Sequence, residues 1–163
     1  MRRIGILGDI GSGKTYVAKC FGFPVFNADL EVAKIYKNDK KVFQKLKKGL
    51  PQHFNSFPIK KKEIIKAILS NKKNLKKIIK IVHYEVRKKM NYFLKKNRRK
   101  KIIILDIPLL MENKINKKTD ILIFVESKKS EILRRLKRRK NFNMKIFNNF
   151  KKIQLSLDLK RKK

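Results

Sequence analysis

The sequence predicts an α/β protein, three layers deep, with a parallel sheet covered by helices on both faces. Two observations carry that reading. Four short apolar runs that read as buried strands alternate with segments of helical period. The first of these runs leads directly into a glycine-rich turn and then a helix, the opening of a strand–turn–helix unit.

Arg3 to Leu7 is the first strand, and the stretch after it is Gly8-Asp9-Ile10-Gly11-Ser12-Gly13-Lys14-Thr15. This is the Gly-x-x-x-x-Gly-Lys-Thr pattern of a phosphate-binding P-loop. Its glycines let the backbone form a nest of inward N–H groups, and the following helix adds unsatisfied amides and the positive end of its dipole. In such a loop Gly8, Asp9, Ile10, Gly11, Ser12 and Gly13 form the cradle. Lys14 reaches the β- and γ-phosphates of ATP, and the Thr15 hydroxyl ligates Mg²⁺. A dinucleotide turn would need Gly-x-Gly-x-x-Gly, whereas the glycines here run Gly-x-x-Gly-x-Gly.

The first helix spans Gly13 to Phe21, with Val17, Ala18 and Phe21 inward and Cys20 a small packing residue; Gly22-Phe23-Pro24 ends it. Val25-Phe26 forms a brief strand that delivers Asn27, Ala28 and Asp29 at its C-terminal end, where open α/β sheets bind ligands. Asp29 can take the proton of an attacking hydroxyl, or it can cap the helix that starts at Leu30. Residues 30–100 read as helical and basic. A helix covers Leu30 to Tyr36, a second carries Val42, Phe43 and Leu46, and a loop lies between Gly49 and Pro58. One long amphipathic helix follows from the spacing of Leu75, Ile78, Val82, Val86, Met90 and Phe93, with His83 and Glu85 beside its apolar seam.

Lys101 to Leu105 is the third strand and ends in Asp106, the shape of a strand whose carboxylate reaches a Mg²⁺ shell. Asp120 to Val125 is the fourth. A helix from Ser127 to Lys140 carries Arg134, Arg135, Arg138 and Arg139, whose forks suit phosphate oxygens, with Ser127 as its N-cap. A last helix runs from Asn143 towards the end of the chain, with Ile146, Phe147, Phe150, Ile153, Leu155 and Leu157 on or near its buried side.

At 163 residues and 42% hydrophobic content, the chain can build one domain with a real core. No apolar run approaches the ~18 residues of a membrane span. Arg2 and Arg3 lead into the glycine loop rather than a signal sequence, and one cysteine excludes an internal disulfide. A cytoplasmic protein is the expectation. The net charge of +35, from 47 Lys and Arg against 12 Asp and Glu, suggests nucleic acid. However, the lysines travel with many Asn and Ile residues, as an A+T-biased coding sequence would make them. That reading is preferred, and no specific nucleic-acid partner is expected.

Taken together, the glycine loop, Asn27-Ala28-Asp29, Val82-His83, Asp106-Ile107-Pro108-Leu109-Leu110-Met111-Glu112-Asn113 and Gln154 resemble the dephospho-coenzyme A kinase family, in order and spacing over nearly the whole chain. The resemblance implies a P-loop NTPase fold of nucleoside-monophosphate-kinase type with an inserted helical substrate lobe. It implies a single kinase domain over 1–163, with its core at about 1–29 and 101–163, the lobe at about 30–100 and a lid at about 128–145. It further implies ATP and Mg²⁺ as donor and metal, and dephospho-CoA as the acceptor, phosphorylated on its ribose 3′-hydroxyl. Asp29 would be the base and Lys14 and Arg139 its catalytic companions. Arg135 would join the ATP site and Thr15 and Asp106 the metal. The acceptor would meet Asp29, His83, Asp106, Pro108, Leu109 and Glu112. Asn27 stands where the family has an aspartate, and Tyr84 where a proline follows the histidine. The family's next strand, adenine loop and final helix would follow Gln154; the chain lacks that pattern.

Overall fold

Four parallel strands, β1 (Arg2–Gly8), β2 (Val25–Asn27), β3 (Ile102–Asp106) and β4 (Ile121–Val125), form one sheet in the order β2-β3-β1-β4. The computed structural model describes residues 1–139 and 142–162. Its chain forms two compact units, Met1–Ala28 with the chain from Leu94 onward, and Asp29–Phe93.

The first unit is built on the sheet. Side chains alternate across it, so Ile4 and Ile6 share one face, where they pack with Ile104 and with Ala18 of α1 (Lys14–Cys20). The opposite face of β1 carries Arg3, Gly5 and Leu7. A Cβ on Gly5 would lie 2.5 Å from a Leu110 methyl and 2.9 Å from one of Leu122, so glycine lets the segment after β3 settle directly on the strand. Both faces are thereby covered, as a parallel sheet requires. The register sets Ile4 opposite Ile104 and Ile121, and Asn27 opposite Asp106. All four strands therefore end at one rim.

At the other rim, Arg3 donates to the Asp120 carboxylate at 2.8 Å and to the Ile115 carbonyl at 3.0 Å. Both side chains are buried, at 9% and 1% exposure, so this ion pair ties the start of β1 to the start of β4.

The second unit is helical: α2 (Ala28–Asn38, which starts at the unit boundary), α3 (Lys40–Gly49), α4 (Lys61–Ser70) and α5 (Lys72–Lys96). The long helix is unbroken through His83 and Tyr84, and Leu75, Ile78, Val82 and Val86 are its buried face. Asp39 caps α3 by accepting from the Val42 N–H. Between α3 and α4 the chain is pinned by Glu63, whose carboxylate accepts from the Asn55, Ser56 and Lys60 N–H groups and the Ser56 hydroxyl. Burial alone would raise the Glu63 pKa, but these donors outweigh it and hold it below the usual carboxylate range.

Several local expectations are corrected. Cys20 and Phe21 face solvent instead of packing, because α1 stops at Cys20 and Phe21 is only its C-cap. The arginine-bearing helix, α6, spans Lys129–Lys137, so Arg138 is its C-cap and Arg139 lies beyond it. Lys140, its expected end, and Asn141, within the expected lid, lie outside the described residues, as does Lys163. The last helix is two, α7 (Met144–Lys151) and α8 (Leu157–Arg161), because the Leu155 N–H goes to Glu112 and Ser156 caps a new start. In the gap Ile153 and Leu155 are exposed rather than buried.

Asp120→Ala strands a buried guanidinium, and we expect it to cost about 3–5 kcal/mol in urea unfolding. The double replacement Arg3→Met with Asp120→Leu, which removes both charges, is expected to cost markedly less.

Candidate active site

The strand-to-helix turn is a backbone structure before it is a chemical one. Gly8 leaves β1 at φ +140°, where a Cβ would come within 2.4 Å of the Val125 carbonyl oxygen on β4. The Ser12 N–H closes the turn onto the Asp9 carbonyl, and the Asp9 carboxylate accepts from the Ile10 N–H at 2.7 Å. Gly11 packs directly against Ile132 and Leu136 of α6. Gly13, at φ +100°, is the N-cap of α1 and offers no side-chain cap.

Lys14 is the first residue of α1. Although charged, it is only 8% exposed, and its Nζ donates to the Gly8 carbonyl at 3.2 Å and the Asp9 carbonyl at 2.6 Å. A buried ammonium needs such acceptors, and they hold it across the mouth of the loop. The Ser12 hydroxyl is buried without a hydrogen-bond partner.

The neighbouring strand ends converge on one oxygen. Oδ2 of Asp106, buried at the end of β3, accepts from the Thr15 hydroxyl at 2.6 Å and from the Asn27 amide at the end of β2. Parallel register brings Asn27 beside Asp106, and α1 brings Thr15. Among the described residues no group of three or more His, Cys, Asp and Glu side chains is placed to hold a metal ion.

The far wall comes from the segment after β4. The Ser127 hydroxyl donates to the Ser12 carbonyl at 2.8 Å, and Arg135 donates to both Ser12 O and Ser127 Oγ at 3.3 Å. With Gly13, Tyr16, Val17, Val125 and Glu126, these residues line a cleft of about 530 Å³. Ser127 is therefore not the helix cap expected of it; Lys128 holds that position without a capping bond. Of the four arginines only Arg135 is bonded to the loop. Arg134 pairs with Glu131 on the surface, and Arg139 is exposed past the helix end.

The residues expected to meet the acceptor fall in both units. Pro108 and Leu109 are half-buried in the turn after β3, where Gln154 donates to the Pro108 carbonyl at 3.5 Å. Glu112 is engaged within the unit: its Oε1 accepts from the Leu155 N–H at 2.9 Å and from the buried Lys160 ammonium at 2.7 Å, while Oε2 is buried without a partner. Asp29 and His83 belong to the second unit. Asp29 is exposed in the first turn of α2, inside the helix rather than capping it, because the helix starts at Ala28. His83 is half-buried on α5. The sequence assigns no role to the Asn27 amide and only a capping role to the Ser127 hydroxyl. Asn27 was discoverable from its place at a strand end opposite Asp106, whereas nothing in the sequence distinguished Ser127 from a cap.

The family model for dephospho-CoA kinase matches residues 2–163. The dephospho-CoA kinase of Wolbachia pipientis wMel is 33% identical over 98% of this chain and 84% of its own. That of Bartonella henselae is 30% identical over 99% of this chain and 85% of its own. TT1252 of Thermus thermophilus superposes with a TM-score of 0.74 at 26% identity, covering 99% of this chain and 84% of its own. The dephospho-CoA kinase of Campylobacter jejuni, at 20% identity and a TM-score of 0.62 over 99% of this chain and 85% of its own, shares the fold. The phosphate loop, the parallel sheet behind it and a family match along almost the entire sequence lead to one assignment: the chain belongs to the dephospho-CoA kinase family.

Proposed function

We propose that this protein transfers the γ-phosphoryl group of ATP to the ribose 3′-hydroxyl of dephospho-CoA, completing coenzyme A. The observation that carries the reading is the family match over residues 2–163, laid on a phosphate loop whose lysine is already drawn across its mouth. In this reading the loop amides and Lys14 hold the donor phosphates, and Arg135 adds a guanidinium beside Gly13. Arg139, exposed beyond α6, is the residue we assign to closing over the transferring group.

A Mg²⁺ ion fits the residues present. Thr15 and Asp106 supply adjacent hard oxygen donors, and a single carboxylate beside a hydroxyl is what a phosphate-bound Mg²⁺ takes from protein. When bound, the ion neutralises charge on the phosphates.

We assign Asp29 as the base that accepts the proton of the 3′-hydroxyl. The new bond forms between that oxygen and the γ-phosphorus, the bond from the γ-phosphorus to the β–γ bridging oxygen breaks, and ADP leaves with those electrons. Asp29 follows Asn27 by two residues, so the chain that ends β2 at Asp106 also delivers it. The helical unit Asp29–Phe93 is our candidate substrate lobe, with His83 positioning the acceptor, and Pro108 and Leu109 offering it the turn after β3. We assign Glu112 mainly to holding Lys160 and Leu155, on the strength of its buried contacts.

Exposed lysines occur on α3, α4, α5 and α6 alike, which supports reading the basic excess as compositional and not as a nucleic-acid footprint. No helix among the described residues is long and apolar enough to cross a membrane, and we place the activity in the cytoplasm.

ADP release is expected to depend on dephospho-CoA, and Asp29→Asn to lower kcat by about 10²–10⁴-fold with little change in KM; unimpaired turnover would remove Asp29 from the role of base. Asp106→Asn is expected to raise the Mg²⁺ concentration needed for half-maximal rate in a titration at fixed ATP. An unchanged Mg²⁺ requirement would take Asp106 out of the metal shell.

A further inference from the structure

The Ser12 carbonyl is held from outside the loop it belongs to. Ser127 Oγ lies 2.8 Å from it, Arg135 Nη1 lies 3.3 Å from it, and the same Nη1 lies 3.3 Å from Ser127 Oγ. A hydroxyl has one hydrogen and two lone pairs. The Ser127 hydrogen is committed to Ser12, and a lone pair receives Arg135.

The consequence lies on the other side of the peptide. In a planar trans peptide the C=O and the following N–H point in opposite directions. Holding the Ser12 oxygen towards Ser127 therefore fixes the Gly13 N–H on the opposite side, and no hydrogen bond among the described residues uses that N–H. Gly13 sits at φ +100°, a conformation that glycine adopts without the penalty of a Cβ. The contacts to Ser127 and Arg135 come from outside the loop and favour one of the two orientations of that peptide.

We infer that Ser127 is a positioning residue for the donor phosphates: by anchoring the Ser12 carbonyl on the side where Arg135 also holds it, it keeps the Gly13 amide turned the opposite way, into the phosphate nest. The inference rests on the proposed ATP site and adds a residue that the loop motif does not contain. It predicts an effect on phosphate binding and none on the acceptor.

The test compares Ser127→Ala and Ser127→Thr with the unaltered chain, using calorimetric ADP binding, the KM for ATP and for dephospho-CoA, and the melting temperature. Ser127→Ala is expected to weaken ADP binding and raise the KM for ATP about three- to tenfold, the worth of one net hydrogen bond. The KM for dephospho-CoA should stay where it is, the melting temperature should fall by only about 2–4 °C, and Ser127→Thr, which restores a hydroxyl, should recover ADP affinity. ADP affinity unchanged in Ser127→Ala, an equal rise in both KM values, or no recovery with threonine would overturn the assignment. An unaltered chain that binds ADP without phosphorylating dephospho-CoA would overturn the proposed activity, while the ADP comparison would still decide the role of Ser127.

Discussion

A Cβ on Gly8 would lie 2.4 Å from the Val125 carbonyl and 2.8 Å from the Ser12 hydroxyl, so β1 can pass this close to β4 only where there is no side chain. That steric constraint sets the rest of the rim. It lets the chain curl back so that Ser12 reaches Asp9, Gly11 meets α6, and α1 starts at Lys14. The buried lysine depends on the same curl, because the carbonyls of Gly8 and Asp9 that hold its ammonium are the two the turn directs at it.

The second point of convergence is Asp106. Three pieces of chain distant in sequence meet on its Oδ2: the start of α1, the end of β2 and the end of β3. An amide at position 27 suits this meeting. Asn27 donates to Asp106, whereas a carboxylate there would place a second negative charge against the first. The amide thus fits its neighbour, and Asp29 follows two residues later in the sequence.

Much of this was readable from residue order alone. Apolar runs placed the four strands, periodicity placed the long helix α5, and the glycine spacing located the phosphate loop, because each signal arises from contacts within a few residues. The failures came where distant contacts overruled local pattern. The apolar residues after Asn143 suggest one helix, but Glu112, over forty positions away, takes the Leu155 N–H and breaks it. Ser127 has the right chemistry for a cap, but the Ser12 carbonyl claims its hydroxyl. Of the four arginines, Arg135, which faces Gly13, is the one bonded to the loop.

A member of the dephospho-CoA kinase family built around this loop should phosphorylate one hydroxyl of one acceptor. The direct measurement is a phosphorus–proton correlation spectrum of the product formed from ATP and dephospho-CoA. Coupling of the new phosphate to the ribose 3′ proton is the predicted result. A phosphate on any other position, or ATP consumed with the acceptor unchanged, would contradict it.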